Sequence, residues 1–203
     1  FMSSVIEAIK MRRSIRKFRP EEIPDEIIRD LLEAARLAPS GSNSQPWRFK
    51  VVKDRETKRR LAEAAFNQRH VAEAPVVIVC CADLQGYLDG VISGAQDLLQ
   101  LKAMEKHIFE FIDYRTNKLK KMDIEQLGPE IGFNVAIAVE HIVLRAVELG
   151  LGTCWVRLAD GKKIKEIFNW GKNISFVTLL LLGYPAEAPE ARKRLSLDKI
   201  LLD

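Results

Sequence analysis

Residues Pro129–Gly150 read "PEIGFNVAIAVEHIVLRAVELG", and this stretch decides the fold. Its apolar residues recur at helical spacing but cover most of the circumference, which predicts a helix buried on most sides. Gly150 and Gly152 mark its end. A chain of 203 residues supplies one substantial core rather than two, so residues 1–203 read as a single domain built around this helix. Between Glu130 and Leu149 the apolar surface is broader than one small domain buries, which predicts a second subunit against it.

The neighbouring segments supply a sheet. "PVVIVCCA" (Pro75–Ala82) is a continuous apolar run of strand length, as expected for a strand covered on both faces. "WRFKVVKD" from Trp47 alternates as a strand does, and "RETKRRLAEAAF" returns to helix. "TCWVRL" and "SFVTLLLLGYP" give two further strands, separated by the helix "GKKIKEIF". "PDEIIRDLLEAARLA" is a helix started by Pro24, Asp25 and Glu26, with Ile27, Ile28, Leu31, Leu32 and Ala35 at helical spacing. "SSVIEAIKMR" predicts a short helix capped by Ser3 or Ser4, and Leu84–Met122 a helical region broken into two or more pieces. About four strands among many more helical residues give an α+β class. The tail "AEAPEARKRLSLDKILLD" reads as extended with an apolar end, which predicts that it lies against something.

Charge narrows the ligand. The net formal charge of +4 decides nothing until the charges are located. "RRSIRKFRP", starting at Arg12, and Arg192–Arg194 in the tail are two compact basic knots. Three readings compete: a nucleic-acid contact, solvated charge runs, or a seat for one small phosphate, since guanidinium forks and the Ser14 hydroxyl suit a dianion. Elsewhere the basic residues are diluted by acids, as in "KDRETKRRLAEA", which fits a small ligand better than a polymer. "PSGSNSQPW" (Pro39–Trp47) offers backbone donors, and Asn43 and Gln45 each carry donor and acceptor, suited to the edge of a polar heterocycle. An ordinary helix-to-strand loop is the competing reading.

Cys80, Cys81 and Cys154 are an odd set with two adjacent in an apolar run, which predicts buried thiols in a reducing, cytoplasmic compartment rather than a disulfide framework. His70, His107 and His141 lack metal-ligand spacing, so no metal is assigned. No apolar run approaches the length of a membrane span, and no secretory signal is read at the start.

In series, these segments resemble the nitroreductase family of FMN-dependent oxidoreductases. The family pattern R-x-S-x-R/K-x-F stands here as Arg12 to Phe18, and its P-S-x-x-N-x-Q-P-W loop as Pro39 to Trp47. "FNQRHVAEAPVVIVCCA", "ELGLGTCWV" and "RKRLSL" continue the match in order. The resemblance implies a mixed, mainly antiparallel sheet flanked by helices, and a homodimer holding two FMN. It places Arg12, Arg13, Ser14 and Arg16, with Arg192 and Arg194, at the FMN phosphate and ribityl side. It places Asn67 and His70 near the pyrimidine edge of the flavin, and Trp155, Val156 and Arg157 at a strand-end loop beside N5 and O4. Pro39, Ser40, Gly41 and Asn43 match the loop that the partner subunit contributes.

The implied activity is transfer of hydride or electrons from NAD(P)H through FMN to a small, aromatic or quinone-like acceptor, in ping-pong order. No side-chain nucleophile is found, since FMN carries the chemistry. His70 stands where many relatives have lysine and Arg157 where some have an acid or glycine, so both bear on redox tuning. Dehalogenation, oxygen-dependent flavin chemistry and flavin storage occur on the same fold, and fold alone does not choose among them. Phe109, Phe111 and Tyr114 fall in a segment, 105–122, that varies in the family and often covers the flavin. Nucleic acid and membrane are not expected partners.

Overall fold

The computed structural model describes residues 4–202. Four strands, β1 (Trp47–Val52), β2 (Val76–Asp83), β3 (Gly152–Val156) and β4 (Ile174–Gly183), form one sheet in the order β1-β2-β4-β3. All three pairings are antiparallel. The parallel component implied by the resemblance is confined to a bridge between Ser14 and Thr153.

The sheet separates two cores. Alternation along β2 sends Val76, Ile78 and Cys80 to one face and Val77, Val79 and Cys81 to the other, which explains a continuous apolar run in one strand. Among the described residues eight helices accompany the sheet: α1 (Val5–Met11), α2 (Asp25–Arg36), α3 (Arg55–Ala64), α4 (Arg69–Glu73), α5 (Leu84–Gln100), α6 (Lys106–Leu119), α7 (Gly128–Glu148) and α8 (Gly161–Ile167). Helices α2, α5 and α7 cover the first face, and α3, α4 and α8 the second.

Helix α7 buries Val135, Ala138, Val139, Ile142, Val143 and Ala146. Its other side is left open: Phe133 is 68% exposed, and Ile137, Leu144 and Val147 are only half-covered. The stretch Ile124–Glu148 is apolar and long enough to span a membrane, which the reading by apolar runs did not anticipate. Here its buried face packs on α2 and the sheet.

Ser4 caps α1 in a reciprocal pair, its hydroxyl accepting the Glu7 N–H while its own N–H donates to the Glu7 carboxylate. Ser3 lies outside the described residues. All three cysteines are unpaired and buried; burial pushes the Cys81 thiol up to about 12 and raises Cys80 and Cys154 too, so none is a thiolate at neutral pH. The start of the tail is held against residues 16 and 17, but its apolar end is open within one chain: Leu195, Leu197, Ile200, Leu201 and Leu202 are all exposed.

Candidate functional site

Residues 14–19 run as a clamp between β3 and the start of the tail. The Ile15 N–H donates to Thr153 O at 2.9 Å, Arg19 N–H to Tyr184 O at 2.9 Å, and Ala186 N–H to Lys17 O at 2.9 Å. Glu187 Oε1 accepts the backbone N–H groups of Arg16 at 2.6 Å and Lys17 at 3.1 Å. The approach to β3 needs a missing side chain, because a Cβ on Gly152 would stand 2.7 Å from Ile15 Cγ1.

This clamp brings the two basic knots together. Arg12, Arg13, Ser14 and Arg16 line a cavity of about 350 Å³ with Arg192 and Arg194, joined by Lys10 and opposed by Glu190. Arg13 Nη1 donates to the carbonyls of Lys10 at 2.7 Å and Arg12 at 2.8 Å, closing the end of α1 while still facing the cavity. Arg194 Nη1 donates to Arg192 O at 3.1 Å, a contact within the tail. Among the described residues the guanidinium groups of Arg12, Arg16 and Arg192 have no hydrogen-bond or ion-pair partner. So many cations around one cavity repel each other, and a bound dianion offsets that repulsion.

Asn67 and His70 sit where α3 turns into α4. Phe66 and Asn67 both adopt the left-handed region, at φ 56° and 59°. Gln68 Nε2 donates to Leu158 O at 2.9 Å, and Asp160 N–H to Ala64 O at 2.8 Å. The turn is thereby clasped to the loop that starts at Arg157. Burial, then the Arg16 charge, lowers the His70 pKa below its ordinary 6.5 against a weaker pull from Glu73, so this imidazole is neutral at pH 7.

Trp155 and Val156 belong to β3, as the strand reading of their segment expected, whereas the resemblance implied a strand-end loop; only Arg157 lies beyond the strand. The Val156 side chain is in the second core, so only its backbone is open to a ligand. Sequence reasoning also missed Glu140, a half-buried carboxylate on α7. Burial raises its pKa, while Arg12 and then the Trp155 indole pull it back, so it stands between two parts of the expected site. Like Glu187, it has no local motif that marks it.

Pro39, Ser40, Gly41 and Asn43 lie elsewhere. Their loop leads from α2 into β1, whereas the basic seat is built on β3, and these are the two outer strands. The basic cavity contains none of the four. The loop is tightly shaped: Gly41 N–H donates to Asn134 Oδ1 at 3.1 Å and Gln45 N–H to Ser40 Oγ at 2.9 Å. Ser42, Asn43 and Gln45 are all left-handed, at φ 49°, 52° and 46°.

A three-layer α+β fold with a two-part arginine seat at one sheet edge has the charge and donors that suit a phosphate-bearing ligand. The nitroreductase family model matches residues 9–184, and the chain belongs to that family. An NADH dehydrogenase of Thermus thermophilus is 36% identical over 194 residues, covering 94% of this chain and 91% of the relative. A relative from Methanothermobacter thermautotrophicus, described as an NADH dehydrogenase/NAD(P)H nitroreductase, is 32% identical over 206 residues, 98% of this chain and 86% of its own. A crystal structure described as a nitroreductase in complex with FMN, from Exiguobacterium sibiricum, superposes with TM-score 0.78 at 27% identity, covering 98% of this chain and 96% of that one.

Proposed function

We propose that the chain is an FMN-dependent oxidoreductase that passes reducing equivalents from NAD(P)H to a small aromatic or quinone-like acceptor, as a cytoplasmic homodimer. The carrying observation is the meeting of the residue 12–16 and residue 192–194 knots in one cavity. Compact and enclosed by the clamp, that seat suits a single terminal phosphate rather than a polymer backbone. The glycine-rich fingerprint of a pyrophosphate site is absent from the sequence, which favours FMN over FAD.

The residues present fit the cofactor. Arg12, Arg16, Arg192 and Arg194, with Ser14, supply charge-assisted donors for the phosphate, and Arg13 closes the seat from the end of α1. Asn67 and His70 serve the polar edge of the ring. As a neutral imidazole, His70 adds no fixed positive charge there. Trp155, Val156 and Arg157 border the other side through strand end and backbone. FMN, when bound, supplies the two-electron carrier between donor and acceptor. NAD(P)H and acceptor take turns at one place, a ping-pong order. Exposed Phe111 and Tyr114 on α6 are suited to stack on an aromatic acceptor.

Two observations support the dimer. The loop Pro39–Asn43 and the seat stand on opposite outer strands, so a site using both draws them from different subunits. Helix α7 also leaves Phe133 and its apolar stripe open. Three unpaired, buried cysteines support the cytoplasm. The test is direct: cofactor released by denaturation is identified by chromatography, and the holoprotein is mixed anaerobically with NADH and NADPH. FMN and rapid bleaching of the long-wavelength flavin band are expected. FAD, no flavin after reconstitution, or an unbleached band overturns the reading.

A further inference from the structure

Helix α5 carries Gly86, Gly90 and Gly94 at intervals of four, an unfavourable composition for a helix interior. Two of these are explained by what lies against them. A Cβ on Gly90 would stand 2.7 Å from the backbone oxygen of Ser44, and one on Gly94 only 1.6 Å from that of Ser42. Both obstacles are backbone, which cannot swing aside as a flexible side chain would. The loop so received holds three non-glycine residues in the left-handed region, a conformation that persists only where the surroundings impose it. From the other side, the buried side chain of Asn134 accepts the Gly41 N–H at 3.1 Å.

We propose that Gly90 and Gly94 of α5, with Asn134 of α7, are positioning residues that set the shape of the Ser40–Gln45 loop and thereby the affinity for the flavin ring. This rests on the reading above, in which one FMN site uses both the loop and the seat, and it gives the loop the ring of the bound FMN. The glycines allow the loop backbone to press onto α5, and Asn134 fixes its first turn. The phosphate seat is built on different elements and stays independent of them.

Riboflavin, which lacks the phosphate, separates the two parts. Flavin-depleted full-length protein is titrated with FMN and with riboflavin by fluorescence quenching. In Gly94→Ala both dissociation constants rise by about ten-fold or more, as for one or two lost hydrogen bonds, and their ratio stays as in the wild type. In Arg16→Ala the FMN constant rises and the riboflavin constant does not. Wild-type protein that binds neither flavin sinks the functional reading itself. A folded Gly94→Ala protein that binds both flavins normally, or loses FMN alone, overturns the inference while leaving that reading intact. Should Gly94→Ala not fold, Asn134→Ala removes the acceptor of the Gly41 N–H, together with a donor to Ile131 O within α7. It is expected to weaken both flavins about three-fold or more and to speed amide exchange at Gly41, and wild-type values for both overturn the inference equally.

Discussion

The Glu187 carboxylate accepts the backbone N–H of Arg16 at 2.6 Å, a contact that spans 171 positions of sequence. The same oxygen takes the Lys17 N–H at 3.1 Å, so one acid in the tail holds two residues of the first basic segment. Glu187→Ala is expected to release the tail and weaken FMN binding by about ten-fold, the low end for hydrogen bonds to a charged group because the pair is exposed. Glu187→Gln keeps an acceptor and should retain most of the affinity. Equal FMN constants for Glu187→Ala and wild type, by fluorescence titration, contradict the clamp.

Arg12→Ala and Arg194→Ala should each weaken FMN retention about ten- to a hundred-fold, as a lost charge-assisted contact of about 1.5–3 kcal/mol implies. Neither supports a core, so far-UV circular dichroism should be unchanged. Unaltered FMN affinity in both variants removes these residues from the site.

His70 sets a pH dependence with a definite sign. In the unfolded chain the imidazole titrates near its ordinary 6.5, and in the folded chain lower, through burial and Arg16. Between those values the unfolded chain binds more protons, so this group makes stability fall as pH drops through 6.5 toward the folded value. His70→Gln should flatten that part of the stability curve. An anion in the seat offsets the Arg16 charge, so NMR titration should find the His70 pKa higher with inorganic phosphate than without. A fall, or no change, goes against placing His70 beside the seat.

The Ser44 hydroxyl is buried and has no hydrogen-bond partner among the described residues. A buried polar group left unpaired costs about 1–3 kcal/mol, while a methyl in its place costs nothing in hydrogen bonding. Ser44→Ala is therefore expected to leave thermal stability unchanged or raise it by up to about 1 kcal/mol. A lower melting temperature by calorimetry shows that the hydroxyl has a partner.

The proposed sharing of each site between two subunits is tested by complementation. One variant replaces Arg12 and Arg194 by glutamate, and another puts bulky residues at Ser40 and Gly41. Each homodimer should lack working sites. A mixed dimer, purified through two different tags, should regain one, because its other site collects both defects. Flavin content and NAD(P)H oxidation are the readouts. A folded mixed dimer as empty as its parents places the whole site within one chain.

Local chemistry made much of this protein legible in the sequence. The breadth of apolar residues on α7 announced a buried helix, and the unbroken run of β2 announced a strand covered on both faces. Both patterns arise from side-chain periodicity, which any neighbour of suitable shape satisfies. The two basic knots and the Pro39–Trp47 loop were also visible, as composition. What composition could not contain was their arrangement. Only the tertiary structure brought Arg12 and Arg192 to one cavity and put the Pro39–Asn43 loop on the far outer strand. It alone gave Glu187, Asn134 and Glu140 their places beside the site. The reason is physical: a hydrogen bond or charge contact between residues a hundred positions apart imposes no period on either segment. Its partners are chosen by how the layers stack, so an isolated acid or amide carries no mark of its use until the chain has folded.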